Sequence, residues 1–485
     1  MKNLPDDFVS YTRKVMGEER FSRFLLSMDE LPPVSLRVNR MKNSVSVPCA
    51  DIVSGADDKP NVNAEVVPWC PDGYYLSERP SFTFDPLLHA GHYYVQEASS
   101  MFVDRVLRQY VDGKIVMLDM CAAPGGKSTA ALGALPEGSV LVSNEPVRPR
   151  ANILAENLTK WGSPCTMVTN AYPADIARSG MMFDVVLCDV PCSGEGMFRK
   201  DDGAIAEWSV QNIDHCSKLQ RDIVAEAWKV LRPGGLLIYS TCTFNLHEDE
   251  DNIAHFISQY GAEPLSVDVC DEWNITSSLL DGFDVPVYRF IPGISRGEGL
   301  FLAVLRKSGE AVDYLRKTRK KPRLRNVKRS DVLQRVAKVS DKWLSSVTDF
   351  VFAENGVAIV ALPYTLEPLF RCAVDAKIRI VKAGVAVAVE KGKDLIPDIE
   401  LALSSVLAHD AFACHDVDLD TALAYLRKEA ITLPPDAPRG FVLVTYKGAP
   451  LGFVKNIGNR ANNLYPQDWR ILRHVPKMNP FLPDS

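Results

Sequence analysis

Two short segments concentrate the residues able to do covalent chemistry, Cys188-Asp189-Val190-Pro191-Cys192-Ser193-Gly194 and Ser240-Thr241-Cys242-Thr243. A thiolate is a good nucleophile at neutral pH and also a leaving group, so it suits a reaction that needs a transient bond to an electron-poor carbon. Taken singly, a cysteine is more often a small buried hydrophobe, and Cys165, Cys188, Cys216 and Cys270 are read that way. Cys192 and Cys242 differ because each follows an apolar strand-like run and is flanked by Ser, Thr, Pro or Gly. Asp189, just before Cys192, is the candidate acid for a ring nitrogen. Spacing does not say which thiol attacks.

A third segment, Leu118-Asp119-Met120-Cys121-Ala122-Ala123-Pro124-Gly125-Gly126-Lys127-Ser128, reads as a strand entering a Gly-Gly turn that opens a helix. Such a turn brings backbone N–H groups and a helix N-terminus to a ligand. It has neither the Gly-x-x-x-x-Gly-Lys-Ser/Thr spacing of a phosphate loop nor the Gly-x-Gly-x-x-Gly spacing of a dinucleotide turn. The next strand ends in Asn144-Glu145, placing a carboxylate where a ribose diol is held in nucleotide-binding α/β folds. A ribose without a pyrophosphate fits S-adenosylmethionine.

A sulfonium methyl beside two thiols suits methylation of cytosine at carbon 5. Thiolate addition to carbon 6 gives carbon 5 enamine character, carbon 5 takes the methyl group, and loss of the carbon-5 proton with elimination of the thiolate ends the cycle. A stacked cytosine hides carbon 6, so the base must be flipped out.

These segments work together only at the carboxyl edge of a parallel sheet, where open α/β folds bind ligands. The pattern predicts strands at residues 115–119, 139–145, 165–169, 183–189 and 235–242, with a closing pair at 285–291 and 299–306. Helices are expected at 127–135, 148–161, 217–231 and 247–260, the last opened by the acidic turn Glu248-Asp249-Glu250. The expected fold class is α/β, a Rossmann-like class I methyltransferase domain with a small N-terminal module and a mixed α+β C-terminal region. The expected boundaries are 1–90 for that module, 91–308 for the methyltransferase domain, 309–330 for a basic linker, 331–400 for a mixed middle domain and 401–485 for a small β unit. In the last two, 351–361 and 378–389 read as strands, and 440–446 with 451–454 as a hairpin over Lys447-Gly448-Ala449-Pro450.

Of the 485 residues, 46% are hydrophobic and 24% charged, as in ordinary globular proteins, and the net charge is −6. A positively coated surface is therefore excluded, and nucleic-acid binding would fall to local patches. The one strongly basic stretch includes Arg316, Lys317, Arg319, Lys320 and Lys321 and continues to Arg329; it reads as a solvated linker and as a phosphate-contacting arm. The 11 cysteines are scattered, without Cys-x-x-Cys pairs or His clusters, so reduced thiols and no metal are expected. The start is acidic, and nothing approaches the roughly 18 apolar residues of a membrane span, so a cytoplasmic protein without membrane contact is expected.

The chain resembles the Sun-type RNA cytosine-5 methyltransferases, most closely the bacterial branch that acts on small-subunit ribosomal RNA and carries a C-terminal extension. The segments that carry the resemblance are Leu36-Arg37-Val38-Asn39, Tyr94-Val95-Gln96-Glu97-Ala98-Ser99, the Cys121 to Lys127 turn, Asp189 to Gly194, Gly194-Glu195-Gly196-Met197-Phe198-Arg199-Lys200, Tyr239 to Thr243 and Arg296-Gly297-Glu298-Gly299. The resemblance implies that Cys242 attacks and Cys192 assists release. It further implies that Cys121, Ala122, Ala123, Pro124, Gly125, Gly126, Lys127, Glu145, Arg150, Asn170 and Asp189 line the pocket for S-adenosylmethionine and base. Glu145 and Asn170 stand where Asp is common. The tail from Gly452 to Arg470 resembles a PUA-type RNA-binding domain. The implied partner is RNA, 16S ribosomal RNA or the small ribosomal subunit, met by a monomer. Alternatives are a tRNA cytosine-5 methyltransferase, a DNA enzyme using Cys192, which would carry a target-recognition insert not seen here, and a non-catalytic ribosome assembly factor, for which two spare thiols have no use.

The basic run generates a test. Replacing Lys317, Arg319, Lys320 and Lys321 with Ser should weaken RNA binding and flatten the slope of log affinity against log salt, because fewer counterions are released. An unchanged slope would make the run only a linker.

Overall fold

The structure, a computed structural model, describes residues 2–42, 64–310, 342–392 and 394–473. The basic run and most of the expected linker lie outside them. Two helices, Asp6–Met16 and Glu18–Ser27, open the chain, separated by Gly17 at φ 74°. Their apolar faces bury Phe8, Phe21 and Phe24 against Phe198, Trp208 and Phe244. An antiparallel sheet follows, built from β1 (Val34–Val38), β2 (Ala64–Val67), β3 (Cys70–Leu76) and β4 (Tyr93–Val95) in the order β2-β3-β1-β4.

The central sheet contains β5 (Val116–Asp119), β6 (Val140–Asn144), β7 (Thr166–Asn170), β8 (Phe183–Asp189), β9 (Leu231–Thr241), β10 (Glu263–Leu265), β11 (Tyr288–Phe290) and β12 (Leu300–Arg306). β5 to β9 are parallel, and β12 closes the sheet antiparallel to β9. Its strands are apolar throughout because helices cover both faces. Alternate residues divide between two cores. Leu118, Val142, Val186 and Tyr239 meet Val224, Ala227, Ile253 and Phe256, whereas Met117, Leu141, Leu187 and Ile238 meet Val103, Val106, Leu107 and Ala131.

The α/β expectation holds, with three local differences. The helix expected at 217–231 spans Val210–Val230, because Ser209 accepts a hydrogen bond from the Asn212 N–H and caps it earlier. The helix expected at 247–260 begins at Glu250, and its acidic residues are buried rather than solvated: Asp249 and Glu250 pair with Arg289. The expected strands 351–361 and 378–389 each divide at a glycine. The first becomes the hairpin of β13 (Phe350–Asn355) and β14 (Ala358–Pro363), turned at Gly356; the second becomes β15 (Arg379–Ala383) and β16 (Val385–Lys391), broken at Gly384.

The second division changes the architecture. β15 pairs antiparallel with β7 and becomes an edge of the central sheet, so the nine strands run β10-β12-β9-β8-β5-β6-β7-β15 with β11 beside β12. β16 instead joins β13, β14 and β17 (Asp394–Pro397) in a separate sheet. Part of the region expected as a mixed middle domain, β15, thus extends the central sheet. The last sheet holds β18 (Ala413–Asp416), β19 (Gly440–Tyr446), β20 (Ala449–Asn456) and β21 (Ala461–Asn463), with the β19–β20 turn tightened to Lys447-Gly448. Its Val442, Val444, Leu451 and Val454 share one core with Leu36, Val38, Leu76 and Tyr93 of the N-terminal module.

Gly384 is the corner between two sheets, at φ 57°, and a Cβ there would lie 2.1 Å from the Ala361 carbonyl oxygen. Gly384→Ala should destabilise the protein by at least about 2 kcal/mol, the left-handed penalty plus the clash. It should also speed amide exchange in β15. Denaturant melts and hydrogen exchange check both, and an unchanged midpoint would show that the corner is dispensable.

Candidate active site

The parallel ladder aligns Cys188 with Tyr239 and Asp189 with Ser240. The Ser240 hydroxyl donates to Asp189 Oδ1 at 2.8 Å. Beyond these residues the two chains turn over the sheet edge, and Cys192 Sγ meets Cys242 Sγ at 2.9 Å. The Cys242 N–H also donates to Cys192 Sγ at 3.2 Å. Both thiols are free and half-buried. The hydrogen bond to Cys242 and burial push the Cys192 thiol well above its ordinary range, so it stays protonated at neutral pH.

The glycine turn meets this pair through Lys127. Its Nζ lies 2.9 Å from Asp189 Oδ2, and although burial pulls the ammonium down, Asp189 outweighs this and leaves it raised. Asp189 therefore accepts from Ser240 on one oxygen and pairs with Lys127 on the other. Gly125, at φ 113°, caps the helix Gly126–Ala134, a left-handed position suited to glycine. Beneath the turn, Asp119 accepts from the Ser128 hydroxyl at 2.7 Å, while its other oxygen is buried without a partner. Burial pushes this carboxyl up to about 7.

Cys121, Ala122, Ala123 and Pro124 form the turn before Gly125, and the Ala122 N–H donates to the Asn144 carbonyl at 2.9 Å. Burial raises the Cys121 thiol well above its usual range. Glu145, at the end of β6, accepts from the Val147 N–H at 2.9 Å and lies 3.6 Å from Arg150, whose other amino group donates to the Ala123 carbonyl at 3.0 Å. Asn170 stands at the end of β7 and uses its amide locally. Its Nδ2 donates to the Glu145 and Pro146 carbonyls, both at 2.8 Å, and its Oδ1 accepts from Arg379 of β15 at 3.3 Å. The edge thus unites Lys127, Asp189, Cys192 and Cys242, with the turn, Glu145 and Arg150 adjoining and Asn170 at the next strand end. Among the described residues no His/Cys/Asp/Glu group is suited to a metal.

Reasoning from motifs left the partners of Arg37 and Gln96 unread. Arg37 is fully buried, donates to Gln96 Oε1 at 3.0 Å and to Thr129 Oγ1 at 2.6 Å, and lies over the Trp161 ring at 4.4 Å. Thr129 in turn donates to the Gly125 carbonyl at 2.8 Å. A charged residue inside the alternating apolar strand 34–38 was the available signal.

Asp119 generates a pH prediction. Its carboxyl titrates near 7 in the folded protein but near 3.8 when unfolded, so from about pH 4 to about 7 the folded state holds the extra proton and stability falls as pH rises. Asp119→Asn should remove that fall, up to about 1.4 kcal/mol per pH unit. Urea unfolding across this window tests it; parallel curves for the two proteins would overturn it.

Comparison with known proteins gives the same outline. Residues 4–98 match the N-terminal domain of 16S rRNA methyltransferase RsmF, residues 107–306 match 16S rRNA methyltransferase RsmB/F, and residues 412–471 match the methyltransferase RsmF PUA domain. The ribosomal RNA small subunit methyltransferase F of Photobacterium profundum is 30% identical over 484 residues, covering 96% of this chain and 97% of the relative. That of Aliivibrio fischeri is 29% identical over 487 residues, with coverage of 96% and 97%. Among solved structures, a methyltransferase homolog protein from Pyrococcus horikoshii superposes with a TM-score of 0.53 at 25% identity, covering 62% of this chain and 95% of that one. NSun6 from Pyrococcus horikoshii with SFG gives 0.52 at 19% identity, covering 63% and 99%, a likeness of fold. From its first helices to its last sheet, the chain belongs to the ribosomal RNA small subunit methyltransferase F family.

Proposed function

We propose that the chain methylates carbon 5 of a cytosine in 16S ribosomal RNA, with Cys242 as the thiol that adds to carbon 6 and Cys192 as the thiol that serves release. The observation that carries this reading is the pair of free thiols in contact at the ends of adjacent parallel strands, beside Asp189. The family is one of S-adenosylmethionine-dependent enzymes, and the residues present fit that cofactor. The glycine turn admits close backbone approach, and Glu145 offers a carboxylate to a diol. S-adenosylmethionine supplies the methyl group when bound there.

The chain's own residues do the rest. The Cys192 thiol, held in its protonated form by the contact with Cys242 and by burial, suits the release step, which leaves the addition step to Cys242. Lys127 and Ser240 hold Asp189 in one orientation, with a third of its side chain exposed. From there it can engage the ring nitrogen, and a proton supplied to that nitrogen through the Asp189–Lys127 pair makes carbon 6 more electrophilic. After transfer, elimination breaks the bond between carbon 6 and Cys242 and removes the carbon-5 proton; the Cys192 sulfur, 2.9 Å from Cys242, can pass its own proton to the leaving sulfur and take up the carbon-5 proton in its place. The PUA-type sheet, packed on the N-terminal module, supports an RNA substrate. Bisulfite sequencing of ribosomal RNA from cells with and without the gene identifies substrate and reaction together. Loss of one protected cytosine in 16S rRNA is expected, and protection lost only from tRNA would move the assignment there.

Single-cysteine variants separate the two thiols. Cys242→Ala should abolish methylation while calorimetry shows S-adenosylmethionine binding nearly intact. Cys192→Ala should still form the adduct but fail to release RNA, leaving a covalent complex that survives denaturing electrophoresis and vanishes in the double variant. A trapped complex with Cys242→Ala instead would invert the roles.

A further inference from the structure

The β8–β9 ladder ends at Asp189 and Ser240, yet the thiols that touch lie beyond it, on two loops. Regular pairing therefore does not set their separation. We propose that Glu195 and Glu248 are positioning residues, forming a reciprocal clasp that fixes the spacing of Cys192 and Cys242. The proposal deepens the two-thiol reading above and rests on it for its catalytic consequence.

Glu195 belongs to the Cys192 loop and reaches into the Cys242 loop. Its Oε2 accepts from the Thr243 hydroxyl at 2.6 Å, the Phe244 N–H at 2.7 Å and the Asn245 N–H at 3.1 Å. Its Oε1 accepts from Trp208 Nε1 at 3.0 Å and Asn245 Nδ2 at 3.3 Å. Glu248 follows the Cys242 loop and reaches the other way. Its Oε2 accepts from the Ser193 N–H at 3.0 Å and Gln220 Nε2 at 2.7 Å, and its Oε1 accepts from Asn245 Nδ2 at 2.8 Å. Each loop thus lends the other a carboxylate directly beside a cysteine. Two further contacts draw the loops together: the Gly196 N–H donates to the Cys242 carbonyl at 2.8 Å, and the Ser193 and Thr243 hydroxyls meet at 3.0 Å.

Both carboxylates are wholly buried, at 1% and 0% exposure, and both are surrounded by donors. Buried charge is tolerated only where hydrogen bonds satisfy it, so these sites are costly unless the arrangement matters. Gly196 of the Cys192 loop also packs backbone to backbone against Gly299, which precedes β12, and a Cβ on either would meet the other at under 3 Å, so this side of the loop has no room for a side chain. Replacing either Glu with Gln keeps the shape but turns an NH₂ group toward N–H donors, which parts the loops. A displacement of about 1 Å at reacting atoms costs roughly a hundredfold in rate.

Thiol proximity can be read without RNA or S-adenosylmethionine. Diamide, an azo oxidant, takes one thiolate at nitrogen; the second thiolate then attacks that sulfur, the S–N bond breaks, the S–S bond forms, and diamide leaves as the hydrazine carrying the two hydrogens. In the full chain, Cys192–Cys242 coupling, followed by peptide mass, should be fast in the wild type and slower by roughly tenfold or more in Glu195→Gln and Glu248→Gln. Methyl transfer should fall about a hundredfold, with S-adenosylmethionine affinity unchanged. Glu248→Asp, which keeps the carboxylate, should recover part of both rates. Unchanged coupling in folded Gln variants would overturn the clasp whatever methylation does. Slowed coupling with full methylation would uphold the spacing role and overturn the two-thiol mechanism instead. If the Gln variants fail to fold, Thr243→Val, which removes the hydroxyl that donates to Glu195 and meets the Ser193 hydroxyl, should slow coupling to an intermediate degree; no slowing there would overturn the proposal.

Discussion

The register of β8 against β9 governs everything chemical in this protein. Placing Asp189 opposite Ser240 brings the two cysteine loops over the same stretch of sheet edge. A slip of one residue would send Ser240 to the opposite face and take the hydroxyl away from the carboxylate. The register is itself fixed by burial on both faces, since Val186 and Tyr239 enter one core while Leu187 and Ile238 enter the other. Chemistry at the edge is thereby tied to packing in the interior. Asp189 then passes that alignment to Lys127 and so to the glycine turn.

The outer modules reinforce the same edge. The first two helices bring Phe8 to Phe198 and Phe24 to Phe244, aromatic residues that directly follow the two cysteine loops. The N-terminal sheet contributes Arg37, which reaches Gly125 through Thr129. The C-terminal sheet packs on that module rather than on the central sheet. The C-terminal sheet is thus connected to the turn through its packing on Leu36 and Val38 and the hydrogen bonds from Arg37 to Thr129 and from Thr129 to Gly125.

Much of the central domain was legible because its signals are local. Strand 183–189 and helix 148–161 have the bounds expected from periodicity and flanking residues, and the Gly-Gly turn declared itself by residue type. What stayed illegible depended on contacts between distant segments. Glu248 and Glu250 read as the acidic first turn of a helix, and their burial was not legible because the residues they bond, Ser193 and Arg289, lie 55 and 39 positions away. Asn170 read as a pocket residue, and the carbonyls and the Arg379 that its amide meets were not legible in the sequence. The break at Gly384 was hidden inside an apolar run, where nothing in the composition separates one long strand from two strands in different sheets.

That break has a consequence for how the protein is made. β7 emerges early in synthesis, but its outer neighbour β15 arrives more than 200 residues later. Until then the nascent sheet carries a bare, β-branched edge of the kind that pairs with other chains. Contacts of such long sequence separation also pay their loop-closure cost late, which slows assembly. Among the described residues β15 is the strand that covers this edge, and the C-terminal region that supplies it is made last.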